Sequence, residues 1–161
     1  MIGVDLDPND VEGAVEKALR VLNAASQTRS GLGRKLKQAG YSALAVNQAC
    51  DRAEAMGYVN DRAYAEATLS KRQRQGRGVK VIASELRHKG IDSEVVDEIL
   101  GELSVEDEVG RAAELAVKLL SRHRDEPSVR QREHVMGGLL RRGYAPWVAK
   151  RALEKASALD S

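Results

Sequence analysis

Cysteine, proline and aromatic residues are scarce in this chain. Its 161 residues include one cysteine, three prolines, one tryptophan and no phenylalanine. A single cysteine, Cys50, cannot form an internal disulfide, so we expect a reducing compartment and a small buried residue at that position. No apolar run approaches the roughly 20 residues that span a bilayer, and the acidic start at Asp5, Asp7 and Asp10 does not suit a signal peptide. The sequence therefore predicts a soluble cytoplasmic protein that does not contact a membrane.

Motifs for catalysis, metal binding or cofactor binding are also absent. Two glycine-rich stretches, 31–35 and 76–78, lack the preceding strand and the full spacing of a phosphate-binding loop. The histidines share no metal-ligand spacing with one another or with Cys50, and the sequence argues for no Ser-His-Asp or Cys-His set. The three histidines are His88, His123 and His134. We therefore expect a protein that is not an enzyme and that holds no metal or cofactor.

The residues that are abundant favour helices. Ala, Leu, Glu, Lys and Arg dominate, and the alternation of β-branched residues that is typical of a strand does not occur. Apolar residues recur at the spacing of a helix face, as at Val79, Ile82 and Leu86. The pattern predicts an all-α protein with nine helices near residues 10–25, 30–39, 43–56, 61–74, 79–89, 93–103, 106–123, 128–142 and 146–157.

One kind of joint between helices occurs three times. A leucine lies four residues before a glycine, and a large apolar residue follows the glycine, in segments 36–41, 86–91 and 139–144. If the glycine is the left-handed residue that ends a helix, the apolar residue after it folds back onto the leucine. Residues suited to a helix start follow each joint, namely Ser42, Asp92 and Pro146. The joints predict tight helix-turn-helix connections at a period of about 50 residues.

This period predicts three tandem three-helix repeats, at residues 1–57, 58–104 and 105–161. A unit of about 50 residues with few aromatic side chains buries little apolar surface by itself, so neighbouring repeats are expected to stack. The predicted architecture is an elongated, curved, monomeric array.

Charge is segregated along the chain although the formal net charge is only +2. Residues 71–89 contain seven Lys or Arg and only one acid, Glu85, whereas residues 92–108 contain eight acids and no Lys or Arg. The basic stretch is either a solvated helix face or a surface that binds an anionic partner. The acidic block either favours the start of a helix or faces basic loops of a partner protein.

Smaller basic groups recur on the second helix of the other two repeats. Equivalent basic helices in an array would follow a long anionic groove. The candidate contact residues are Arg34, Lys35, Lys37, Lys71, Arg72, Arg74, Arg77, Lys80, Arg87, Lys89, Arg130, Arg132, Arg141 and Arg142. No aromatic residue interleaves with them, and Trp147 is expected in the core or between repeats. Any contact with nucleic acid is therefore expected to be weak, to involve phosphates and to be insensitive to sequence.

An ordered set of residues lies in the segment 57–91, and further residues of the same kind lie in the first and third repeats. They are Gly57-Tyr58-Val59-Asn60-Asp61, Tyr64-Ala65, Gly76, Gly78, Ile82, Leu86, Lys89-Gly90-Ile91, Leu32, Leu36-Lys37 and Leu139-x-x-Arg142-Gly143-Tyr144. The part in residues 57–91 resembles the central signature of the RecX family, regulators of the RecA recombinase, and the whole resemblance covers residues 14 to 156. Asn60 and Tyr64 depart from the signature, since the family usually has an acidic residue and a phenylalanine at these positions, and Gly31 stands where a glutamate is common.

The resemblance implies three tandem three-helix repeats and a non-enzymatic regulator. Such a protein docks along the RecA filament on single-stranded DNA and restrains its ATPase, strand-exchange and coprotease activities in recombination, repair and the SOS response. Two alternatives stay open. The chain could be a sequence-independent DNA-binding protein, although its third helices carry acids or alanines where a recognition helix presents Arg, Asn or Gln. It could also be a helical-repeat adaptor for another protein.

Overall fold

A computed structural model describes residues 5–159, and over this range the chain forms nine α-helices and no strand. The all-α prediction is confirmed, and no predicted helix end differs from the observed one by more than two residues. Within the same range, no helix combines the length and apolarity needed to cross a bilayer. The helices are α1 Val11–Ala24, α2 Arg29–Gln38, α3 Ala43–Ala55, α4 Asp61–Arg74, α5 Val79–His88, α6 Ser93–Gly101, α7 Val105–Arg122, α8 Ser128–Arg141 and α9 Pro146–Leu159.

Glycines in the left-handed conformation end five of these helices. In two of the predicted joints the fold-back bond is formed, from the N–H of Tyr41 to the carbonyl of Leu36 and from the N–H of Tyr144 to the carbonyl of Leu139, each at 3.2 Å. Residues with a side chain rarely adopt a positive φ, so these positions favour glycine. The five glycines are Gly40, Gly57, Gly76, Gly90 and Gly143.

Short polar side chains begin several helices as predicted. The Ser42 hydroxyl accepts a hydrogen bond from the N–H of Ala45 at 3.2 Å, and the Asn60 side chain accepts one from the N–H of Ala63 at 3.0 Å. Pro146 is the first residue of α9, where its missing N–H leaves no helix bond unmade. The local chemistry of the sequence therefore sets both ends of these helices.

The described chain divides into two compact units. The first takes in the residues up to Ala65 together with Arg87–Ser93, and the second takes in Glu66–Leu86 together with the residues from Glu94 onward. The three repeat boundaries and the elongated, curved array stay predictions.

Each unit contains its own apolar core. In the first unit α1, α2 and α3 contact one another, and small residues such as Ala14, Ala18 and Ala49 let them approach closely around Leu32 and Leu36. In the second unit α7, α8 and α9 contact one another around a larger core. Its buried members include Val109, Ala112, Ala116, Leu120, Val135, Leu139, Tyr144, Val148 and Leu153.

The sequence predicts Trp147 in the core or between repeats, and of these two positions the core is wrong. Its side chain is 52 % exposed, because on α9 it lies about 100° around the helix axis from Val148, its buried neighbour. Trp147 instead lines a small apolar groove in the second unit, together with Leu100, Leu103 and Val105.

Candidate anion-binding surfaces

The N-terminus of α2 is a junction of three segments of the first unit. The buried Thr28 hydroxyl accepts a hydrogen bond from the N–H of Gly31 at 3.0 Å and donates one to the carbonyl of Lys89 at 2.8 Å. The N–H of Arg29 donates to the Asp61 carboxylate at 2.8 Å. Thr28 therefore caps α2 and also holds the backbone of Lys89, which is one of the predicted contact residues.

An open cationic cavity of about 400 Å³ lies at this junction. Arg34, Lys35 and Lys89 line it, and none of the described residues in its wall is acidic. We call it the α2 cavity. The fold thus brings together three of the predicted contact residues, two from α2 and one from a segment more than 50 positions later in the sequence. Neutral polar residues complete its wall, including Ser26, Gln27, Thr28, Gln38 and Tyr64.

A neighbouring cavity of the first unit is electrostatically more balanced. Lys37 lines it together with Arg29, but the Arg29 guanidinium lies 2.7 Å from the Asp51 carboxylate and 3.0 Å from that of Glu54. Cys50 forms part of its floor and is only 2 % exposed, and burial raises the pKa of its thiol. The prediction of a small buried residue at Cys50 is confirmed.

In the second unit, the joint between α4 and α5 packs directly against the joint between α8 and α9. The N–H of Gly78 donates to the carbonyl of Arg142 at 2.7 Å, and the N–H of Lys80 donates to that of Gly143 at 3.0 Å. A Cβ at Gly78 would overlap the backbone of Gly143 and Tyr144. The joint between α4 and α5 is therefore positioned by backbone contact with the joint between α8 and α9.

Glu108 of α7 supports the same joint. This carboxylate is 6 % exposed, accepts a hydrogen bond from the N–H of Val79 at 3.1 Å and lies 3.0 Å from the Arg111 guanidinium. It supplies a partner for a free N–H at the start of α5, where negative charge is also favoured. One member of the predicted acidic block is therefore a buried structural group rather than part of an acidic surface.

Beside this joint lies a second cationic cavity, of about 270 Å³. Its wall contains five basic side chains and one acidic one, Glu114. Arg142 also donates from its guanidinium to the carbonyl of Gln75 at 3.3 Å, which holds that side chain across the joint. We call it the α7 cavity. Its basic residues are Arg74, Arg111, Lys118, Arg122 and Arg142.

Sequence reasoning found only two of these five residues. It missed Arg111, Lys118 and Arg122, which recur at intervals of seven and four along α7 and so share one helix face. That spacing was a usable signal, but it lay outside the dense basic stretch. Their proximity to Arg74 follows only from the tertiary structure.

The other predicted contact residues lie outside the two cationic cavities. Arg72 is compensated by Glu85, with its Nε 2.8 Å and its Nη2 2.5 Å from the two carboxylate oxygens. Lys80 lines the same groove as Trp147, and Lys37 lines the neighbouring cavity of the first unit. The other six are exposed, namely Lys71, Arg77, Arg87, Arg130, Arg132 and Arg141.

Comparison with known proteins gives one consistent result. Residues 60–100 match the family model described as "RecX, second three-helix domain". The chain is 36 % identical over 150 residues to the regulatory protein RecX of Mycobacterium sp. (strain JLS), covering 90 % of this chain and 82 % of that protein. It is 35 % identical over 145 residues to the RecX of Mycobacterium tuberculosis (strain ATCC 25177 / H37Ra), covering 86 % and 82 %.

Solved structures show the same fold. The crystal structure of RecX from Lactobacillus salivarius superimposes with a TM-score of 0.86 at 21 % identity, covering 92 % of this chain and 97 % of that one. A second crystal structure, of a regulatory protein RecX, gives a TM-score of 0.81 at 25 % identity, covering 96 % and 82 %. The helical architecture therefore agrees with structures of low sequence identity.

Proposed function

Since this chain belongs to the RecX family of regulatory proteins, we propose that it regulates a RecA recombinase by binding to the RecA filament on single-stranded DNA. In this proposal it acts as a cytoplasmic monomer and lowers the ATPase, strand-exchange and coprotease activities of the filament. The resemblance of residues 57–91 to the family signature supplies RecA as the target.

The observation that supports this proposal most is the pair of cationic cavities. Both are open and polar, and their charge comes from side chains next to helix ends that hydrogen bonds hold in place, from the Thr28 side chain at the α2 cavity and between backbones at the α7 cavity. Because these helix ends are already held in place, fewer residues have to become ordered when a partner binds, and the entropic cost of association is lower. A filament of protein on DNA offers both phosphates and carboxylates to such surfaces.

The proposed mechanism is obstruction. A chain that lies in the filament groove and touches successive RecA protomers would hinder protomer addition and entry of the second DNA. Binding of this kind uses several modest contacts along a surface and needs no catalytic group. It therefore fits a protein whose candidate residues are Lys and Arg rather than a catalytic set.

The DNA-dependent ATPase of RecA, titrated with this protein, tests the proposal. We expect the double variant Arg74→Glu, Lys118→Glu to need at least about ten times more protein for half-inhibition, because a tenfold change corresponds to about 1.4 kcal/mol, which the loss of two charge contacts supplies. The matched control Lys150→Glu, Arg151→Glu makes the same change in net charge on exposed residues of α9, in the same unit. It is expected to inhibit like the parent.

Circular dichroism has to show that both variants keep the parent's helix content. Equal inhibition by the parent and by the α7-cavity variant would remove that cavity from the proposal. Equal loss in both variants would mean that net charge alone, and not the cavity, governs binding.

Direct, sequence-independent DNA binding is the second candidate function, and the concentration of arginine in the α7 cavity favours it. Fluorescence anisotropy with single-stranded DNA over a range of salt concentrations, without RecA, separates the two. If Arg74 contacts a phosphate, Arg74→Glu is expected to reduce the slope of the logarithm of the binding constant against the logarithm of the salt concentration by about 1. DNA affinity strong enough to explain all the inhibition at the same protein concentration would favour this second function.

A further inference from the structure

Two histidines and one glutamate meet where α7 passes into α8 in the second unit. His123 directly follows α7, Glu126 lies in the connecting turn, and His134 lies on α8. The N–H of Glu126 donates to the carbonyl of His123 at 3.1 Å, which closes the turn. Gln131, one helical turn before His134, donates from its amide to the carbonyl of Leu120 at 2.9 Å. These bonds hold together the backbone segments that carry the three side chains.

The three side chains converge on a common point. Nδ1 of His123 lies 3.2 Å from one carboxylate oxygen of Glu126, and Nδ1 of His134 lies 2.6 Å from the other. The two imidazole rings are 4.6 Å apart, and one ligand atom from each residue lies within 4.8 Å of the other two. Burial disfavours the charged form of Glu126, but its hydrogen bonds with the two histidines outweigh this and lower its pKa. The three side chains therefore bring two ring nitrogens and a carboxylate into one small volume.

We propose that His123, Glu126 and His134 form a binding site for a divalent transition-metal ion, with Zn²⁺ as the best fit. Two imidazole nitrogens and one carboxylate are the ligand set of open zinc sites, whereas Mg²⁺ and Ca²⁺ prefer oxygen ligands. Tetrahedral zinc with bonds of about 2.0 to 2.2 Å places its ligand atoms about 3.3 to 3.5 Å apart. The side chains reach this spacing by moving about 1 Å, which their partial exposure of 31 %, 30 % and 46 % allows.

Metal binding replaces the hydrogen bonds of the cluster. The Nδ1 lone pairs and one oxygen of Glu126 coordinate the ion, the ring protons reside on the Nε2 atoms, and water completes the fourth position. The ion would tie the end of α7 to α8 and stabilise that pair of helices. This inference is independent of the proposed function. The spacing of His123 and His134 gave no metal signal, because Glu126 joins them from a turn.

Isothermal titration calorimetry of chelator-treated protein without a histidine tag tests the site, with ZnCl₂ in the syringe and MgCl₂ as the comparison. We expect one Zn²⁺ per chain, no heat from Mg²⁺, and at least about 100-fold weaker Zn²⁺ binding for His134→Ala. Zinc at about 100 times its dissociation constant is expected to raise the unfolding temperature by roughly 5 to 10 °C. The matched control is His88→Ala, which removes an exposed histidine outside the cluster and is expected to bind like the parent.

Three results would overturn the proposal. The first is a dissociation constant of the parent for Zn²⁺ above about 1 mM. The second is a loss of Zn²⁺ binding in His88→Ala as large as that in His134→Ala. The third is full Zn²⁺ binding by a folded His134→Ala. The visible spectrum of the parent with Co²⁺ keeps the test decisive if His134→Ala does not fold. A spectrum typical of Co²⁺ bound tetrahedrally by nitrogen and oxygen ligands supports the site, and the spectrum of hydrated Co²⁺ contradicts it.

Discussion

A series of three glycine-to-alanine substitutions tests how the second unit is held together. Gly76 has a φ of +76°, and a Cβ there would find its nearest atoms at 3.4 Å and 4.0 Å. Gly78 has no positive φ, but a Cβ there would come within 2.5 Å of the Gly143 carbonyl oxygen. Gly143 combines both features, with a φ of +99° and a Cβ position 2.7 Å from the backbone nitrogen of Val81. The series therefore separates backbone conformation from steric overlap.

The expected losses in the free energy of unfolding follow from these distances. Gly76→Ala is expected to lose about 1 kcal/mol, because only the left-handed conformation opposes the side chain. In Gly78→Ala the overlap involves backbone, which cannot move aside as a side chain can, so the joints separate. The bonds from Gly78 and Lys80 are then lost, and with the strain we expect about 2 to 3 kcal/mol. Gly143→Ala combines both effects, about 3 to 4 kcal/mol.

Urea unfolding followed by tryptophan fluorescence measures these losses in the right unit, because Trp147 is the only tryptophan in the chain and lies in α9. Stability is obtained by linear extrapolation from the transition. The free energy of unfolding is expected to decrease in the order parent, Gly76→Ala, Gly78→Ala, Gly143→Ala. If Gly78→Ala loses no more than Gly76→Ala, the two joints do not touch through their backbones.

Two further predictions concern buried hydroxyl groups. Burial, with a contribution from Glu108, raises the pKa of Tyr144 from 10.0 to about 12. As the pH rises above 10 the unfolded chain therefore loses this proton first, and the unfolding free energy falls by roughly 2 to 3 kcal/mol by about pH 12. Tyr144→Phe is expected to lack this part of the pH dependence in urea unfolding, and an identical dependence in parent and variant would contradict it. Thr28→Val is expected to lower stability by about 2 to 3 kcal/mol in urea unfolding followed by circular dichroism, since it leaves the N–H of Gly31 and the carbonyl of Lys89 without a partner. A loss below about 0.5 kcal/mol would mean that Thr28 does not hold the junction.

Part of the candidate site could be predicted from the sequence and part could not. The basic stretch after Lys71 identified Arg74, and the basic end of α8 identified Arg142, because charge density is visible along the chain. The α7 cavity as a whole was not visible. Its remaining residues come from a helix outside that stretch, and they meet Arg74 only in the tertiary structure.

The sequence by itself determined the helices and their ends. Capping side chains, left-handed glycines and apolar periodicity act over a few residues, so Ser42, Asn60 and the glycine after Ala39 specify their turns wherever the chain packs. Only the tertiary structure decided which side chains become neighbours. Glu108 became a buried cap for α5 instead of a surface acid, and Trp147 came to line an apolar groove with Leu100 and Leu103 instead of lying in the core. The physical reason is that both outcomes depend on contacts between helices distant in sequence, which no local pattern encodes.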